Sequence, residues 1–161
     1  MKALSFSPAF PADYRPGVGI IGCGSIVKEA HLPAYAAYGV NVVGVYDPAP
    51  AATAGLRERF PAVGQVFESL DELLGDSRIE VVDIATHPVV RLELISKAIA
   101  AGKHVLAQKP LALDARAARE LVDEAELLGL KLAVNQNGRW APPWRVRRFT
   151  SRRARSARSW P

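Results

Sequence analysis

Cysteine occurs once, at Cys23, so no disulfide can close within the chain, and that usage fits a reducing cytoplasm. No apolar run approaches the roughly 20 residues that a membrane-spanning helix needs. The first sixteen residues carry Lys2 but no continuous apolar segment of the kind a secretory leader has. Only three histidines are present, His31, His87 and His104, too scattered to give a metal-ligand spacing, and one cysteine adds nothing to them. Acidic residues are missing from residues 145–161, where seven arginines fall. The other 144 residues hold 14 basic and 16 acidic side chains, so the +5 net charge belongs to the tail and the body stands at −2. Any case for nucleic-acid binding therefore rests on that tail alone.

What remains is a globular composition, 49% apolar over 161 residues, enough to bury one core of ordinary size. Short apolar runs at residues 18–21, 40–46, 63–67, 81–85, 105–107 and 131–135 read as strands. Between them lie helical stretches at about 26–38, from Pro48 to Phe60, after a Ser69–Glu72 capping box, at about 89–101, and beyond Asp114. In the helix after Thr86-His87-Pro88, Val90, Leu94 or Ile95, and Ala98 recur at helical spacing, and Gly102 ends it. The last helix presents Leu121, Val122, Ala125 and Leu128 on one face and ends at Gly129. Strands alternating with helices point to an α/β fold with a doubly wound, mostly parallel sheet in the order 3-2-1-4-5-6.

The chemistry-bearing residues fall at the carboxyl ends of those strands, where open α/β sheets bind their ligands. Gly22-Cys23-Gly24, followed by Ser25 and Ile26 at a helix start, has the form of a turn whose amides point at a pyrophosphate. The position where a third small residue usually stands is Val27. Asp47 closes the second strand. A carboxylate there can accept the hydroxyls of an adenosine ribose and repel a 2′-phosphate, which favours NAD over NADP; it can equally cap the next helix. Thr86 and His87 follow the fourth strand at the switch point, as liners of the cofactor's middle. His31 and His104 read as structural. Lys109, in Gln108-Lys109-Pro110, ends the fifth strand where a cation can bond a substrate hydroxyl and stabilise the alkoxide left as hydride departs; the other reading is a solvated surface charge.

Two segments carry a family resemblance. Residues 19–35, Gly-Ile-Ile-Gly-Cys-Gly-Ser-Ile-Val-Lys-Glu-Ala-His-Leu-Pro-Ala-Tyr, resemble the opening of the Gfo/Idh/MocA oxidoreductases. Residues 101–110, Ala-Gly-Lys-His-Val-Leu-Ala-Gln-Lys-Pro, resemble their second signature, which usually ends Glu-Lys-Pro. The resemblance covers about residues 17–145. It implies an NAD(P)-binding Rossmann domain with Lys109 as the catalytic lysine, Gln108 beside the cofactor in place of glutamate, and oxidation or reduction of a hydroxyl on a sugar, inositol or related polyol. Members of the family continue into a second domain that holds the substrate and mediates oligomerisation.

The resulting division is an N-terminal extension at 1–16, a Rossmann domain at 17–138, and an interdomain remnant with a disordered Arg-rich tail at 139–161. Composition from residue 147 onward suggests a frameshift in a GC-rich gene. Two alternatives stand beside the oxidoreductase reading: a non-catalytic dinucleotide-binding fragment, and nucleic-acid binding through the Arg tail.

Overall fold

The computed structural model describes residue 11 and residues 13–136. The expectations for residues 139–161, and for most of the N-terminal extension, lie outside the described residues. Residues 13–16 form neither helix nor strand.

Six strands form one sheet: β1 (Gly17–Ile21), β2 (Asn41–Tyr46), β3 (Gln65–Val66), β4 (Val81–Ile84), β5 (His104–Gln108) and β6 (Leu132–Asn135). All neighbours pair in parallel, in the order β3-β2-β1-β4-β5-β6, as the alternation of strands and helices predicts. Parallel strands must be joined by crossovers, and the crossovers bury both faces, so the central strands are apolar nearly throughout. In β1, Val18 and Ile20 face one side of the sheet with Val42 and Val45 of β2. Ile21 faces the other, with Val82 and Ile84 of β4.

The first face is covered by a π-helical turn, Val27–His31, running into α1 (Leu32–Tyr38), and by two short helices, α2 (Pro50–Thr53) and α3 (Leu56–Arg59). The second face is covered by α4 (Leu70–Gly75), α5 (Pro88–Ala100) and α6 (Ala115–Leu127). Val27, in place of the usual small residue, is itself part of the first face's core.

Several expectations need correction. The single Ala-rich helix from Pro48 to Phe60 is two helices, interrupted where Gly55 takes the left-handed conformation at φ 64°. The third strand is only two residues long. Val90 is 48% exposed and the buried stripe of α5 is instead Arg91, Ile95, Ala98 and Ile99. Leu128 is also exposed, leaving Leu121 and Ala125 as the buried positions of α6.

Local chemistry fixes the helix ends. Ser69 Oγ accepts from Glu72 N at 3.1 Å, while Glu72 Oε2 reaches back to Glu68 N at 3.1 Å, one residue earlier than the simplest capping box. Asp114 Oδ1 accepts from Arg116 N at 2.7 Å, and Gly102 and Gly129 follow α5 and α6 with positive φ. At the amino end of the sheet, buried Lys103 donates from Nζ to the carbonyls of Asp76 and Ile79 at 2.9 and 2.7 Å. These contacts fix one end of the sheet and leave the carboxyl end for the site.

Candidate functional site

The turn after β1 is shaped by what surrounds it. Gly22 adopts φ 91°, and a Cβ there would lie 3.0 Å from Thr86 Cγ2 and 3.1 Å from the Ala85 carbonyl, so this glycine is required by the protein's own packing. Gly24 differs. A Cβ there would meet nothing within 4 Å, and Gly24, Ser25 and Ile26 are all exposed. The Gly24 carbonyl accepts from Val27 N and Lys28 N, both at 3.2 Å, so the helix opens at this point, and its first amides have no carbonyl one turn back to bond. The result is an exposed helix start with open space at Gly24.

Asp47, at the end of β2, is tied to that turn: its Oδ2 accepts from Cys23 N at 2.8 Å and its Oδ1 from Ala49 N at 2.9 Å. The second bond is a local turn, and the cap of α2 is Ala49 without a side-chain bond, so Asp47 is not that helix's N-cap. A carboxylate has about four lone-pair sites, so two remain for hydroxyl donors. Cys23 is buried between these elements, with its thiol pushed up to about 12 by burial and secondarily by the Asp47 charge. Cys23 is therefore expected to resist alkylation by iodoacetamide at pH 8 in the folded protein and to label fully in denaturant. Stoichiometric native labelling by mass spectrometry would show the turn to be open.

At the switch point, Thr86 Oγ1 is buried with no partner among the described residues. His87 is exposed at the start of α5, and no described residue bonds its ring. The two therefore differ: Thr86 faces inward beside Gly22, and His87 faces solvent.

At the end of β5, Lys109 is exposed, no described residue bonds its ammonium, and the Lys109–Pro110 peptide is cis. Its backbone is held closely. Gln108 Oε1 accepts from Lys109 N at 2.8 Å, and Gln108 Nε2 approaches His31 Nε2 at 3.3 Å. His31 is 6% exposed, and its Nδ1 lies 2.7 Å from Oδ2 of Asp83, a wholly buried residue of β4. With Nδ1 donating to that carboxylate, Nε2 is the acceptor for the amides of Gln108 and of Asn135, the latter at 3.1 Å. The Tyr35 hydroxyl donates to the same Asp83 oxygen at 2.8 Å, and burial, then the Asp83 charge and this bond, push its ionisation well above the ordinary tyrosine value.

From the other side, buried Arg91 donates from Nη1 to the carbonyls of Gln108, at 2.7 Å, and Pro110, and from Nη2 to the carbonyl of Thr86. Burial lowers its pKa. Gly22, Asp47, Thr86, Gln108 and Lys109 are thus gathered along the carboxyl ends of β1, β2, β4 and β5. Arg91 and Asp83 were not singled out in the sequence, although an arginine at helical spacing from Ile95 and an acid inside a buried strand are both anomalies of pattern. No group of three metal-ligating side chains occurs among the described residues.

Residues 17–136 match the family model described as an oxidoreductase family with an NAD-binding Rossmann fold, GFO_IDH_MocA. The chain is 34% identical over 130 residues to a 1,5-anhydro-D-fructose reductase of Ensifer adhaerens, covering 81% of this chain and 39% of the relative. Among solved structures it resembles GenD2 from gentamicin A biosynthesis, in complex with NAD (TM-score 0.77, 30% identity, 87% of this chain and 39% of that one). It also resembles KijD10, a 3-ketoreductase from Actinomadura kijaniata in complex with NADP and TDP-benzene (TM-score 0.70, 33% identity, 76% and 37%). The chain spans about a third of the length of the curated relatives it matches.

Proposed function

The chain belongs to the Gfo/Idh/MocA oxidoreductases, as their NAD-binding domain, and on that premise we propose that it serves hydride transfer at a hydroxyl-bearing carbon of a sugar, inositol or related polyol, with NAD as the cofactor and Lys109 as the proton-handling residue. The observation that supports the reading most is the contrast between the two glycines. Gly22 is needed by the fold, whereas Gly24 leaves open a space that a Cβ would fill, at the start of a helix.

The first-turn amides after Gly24 would hold the pyrophosphate, and Asp47 would accept the adenosine ribose hydroxyls with its remaining lone pairs. Bound NAD supplies the hydride acceptor. Thr86, His87 and Gln108 would border the middle of the cofactor's path, and Lys109 Nζ would stand at the substrate hydroxyl, accepting its proton as hydride leaves the same carbon for the bound cofactor and the C–OH becomes a carbonyl, and returning that proton in the reducing direction. A single buried thiol suits a cytoplasmic setting.

Calorimetry on the folded chain tests the cofactor assignment. NAD is expected to bind about tenfold or more tightly than NADP, because Asp47 meets a 2′-phosphate with like charge, and Asp47→Ala is expected to close most of that gap. Equal affinities in the unmutated chain would remove Asp47 from the ribose site. Absence of NAD binding at millimolar concentration would overturn the assignment as a whole.

A further inference from the structure

We propose that Arg91 is a positioning residue for Lys109, acting in concert with the Asp83–His31–Gln108 chain of hydrogen bonds; the inference rests on the reading of Lys109 as the proton-handling group. Arg91 is 1% exposed, and no carboxylate pairs with it among the described residues. Its Nε has no partner there either. A buried guanidinium without a counter-ion is costly, and a methionine of similar length would fill the same place in α5 without that cost. The return lies in what its two terminal nitrogens hold.

Nη1 grips the carbonyls of Gln108 and Pro110, the residues on either side of Lys109, and Nη2 grips the carbonyl of Thr86 at the end of β4. A planar fork with fixed donor directions fixes three carbonyls relative to one another, which a lysine ammonium on a flexible stem does not do. The second tether approaches from the opposite face of the sheet. Asp83 orients His31, His31 accepts from Gln108 Nε2, and the other end of the Gln108 amide accepts the Lys109 N–H. The backbone about Lys109 is thereby held from α5 and from the π-helical turn at once, while the lysine side chain stays exposed. A cation held by its backbone and free at its tip suits a group that must meet a substrate at a set place.

The test compares Arg91→Met with the unmutated 161-residue chain, using amide hydrogen exchange and calorimetry with NAD and with ADP-ribose, which lacks the nicotinamide. Arg91→Met is expected to speed exchange at the Lys109 amide about tenfold relative to those of Ile20 and Val45, in the manner of a local opening. It is expected to weaken NAD about tenfold and ADP-ribose less than twofold, since only the nicotinamide end lies near the held segment. Exchange rising equally at all three amides, or equal losses for the two ligands, would make Arg91 a general stabiliser and overturn the proposal. If Arg91→Met does not fold, Arg91→Lys, which keeps the charge and loses the planar fork, gives the same comparison, with the same local pattern expected and the same uniform pattern overturning it. Failure of the unmutated chain to bind either ligand would refute the cofactor reading instead, and the exchange comparison would still decide whether Arg91 holds Lys109.

Discussion

Asp83→Ala is expected to lower the unfolding free energy by about 2–4 kcal/mol, because it leaves the His31 Nδ1–H and the Tyr35 hydroxyl inside without their acceptor. His31 Nδ1–H and the Tyr35 hydroxyl both donate to Asp83 Oδ2 within 2.8 Å, and Asp83 has no exposure at all. Water cannot replace the carboxylate without opening the contact between the π-helical turn and β4. Asp83→Asn retains one oxygen acceptor and should cost roughly half as much, since a neutral acceptor forms weaker bonds than a charged one. Urea titration followed by circular dichroism measures both. If Asp83→Ala unfolds within about 1 kcal/mol of the unmutated chain, the three side chains do not form a coupled unit.

Gly22→Val should lower both stability and dinucleotide affinity. A β-branched residue at φ 91° is strained by about 1–3 kcal/mol, and its Cβ would press on the Ala85 carbonyl and Thr86. Relief requires the turn to move, which displaces the amides that follow it, so NAD affinity is expected to fall by about 100-fold or more. Gly24→Ala separates the two effects. Its Cβ meets nothing in the protein, so the melting temperature should hold within about two degrees, while NAD binding weakens because the methyl occupies the approach to the backbone. Unaltered NAD affinity in Gly24→Ala would rule out close approach of a phosphate at that residue.

The sheet was readable because four of its six strands are short, largely apolar and followed by a punctuating residue: Gly22 after β1, Asp47-Pro48 after β2, Thr86-His87-Pro88 after β4 and Lys109-Pro110 after β5. Alternation with helices then dictates the strand order, and the carboxyl ends carry the polar residues that ligands need. The same reading places α5 but misassigns its buried face. Hydropathy puts Val90 inside, but the carbonyls of Thr86, Gln108 and Pro110 converge where Arg91 lies, and three hydrogen bonds to one guanidinium outweigh the transfer preference of one valine. No periodicity reveals such a convergence, because the acceptors come from two other segments of chain. Asp83 was hidden for the same reason: its partners lie 48 and 52 residues away, on elements that meet it only when the sheet is assembled. The break at Gly55 was available locally, since glycine inside an Ala-rich helix costs about 1 kcal/mol and often marks its end.

The bond from Cys23 N to Asp47 Oδ2 makes the two proposed anchoring points for the cofactor one mechanical object. A ligand that pulls on Asp47 through its ribose also pulls on the amide next to Gly22 and Gly24. Affinities measured with pieces of the dinucleotide should therefore not sum to that of the whole, because the adenosine end and the pyrophosphate end share a coupling free energy through a single carboxylate. For anyone recasting this domain toward a different cofactor, Asp47 is then not an independent dial: exchanging it resets the geometry of the turn as well.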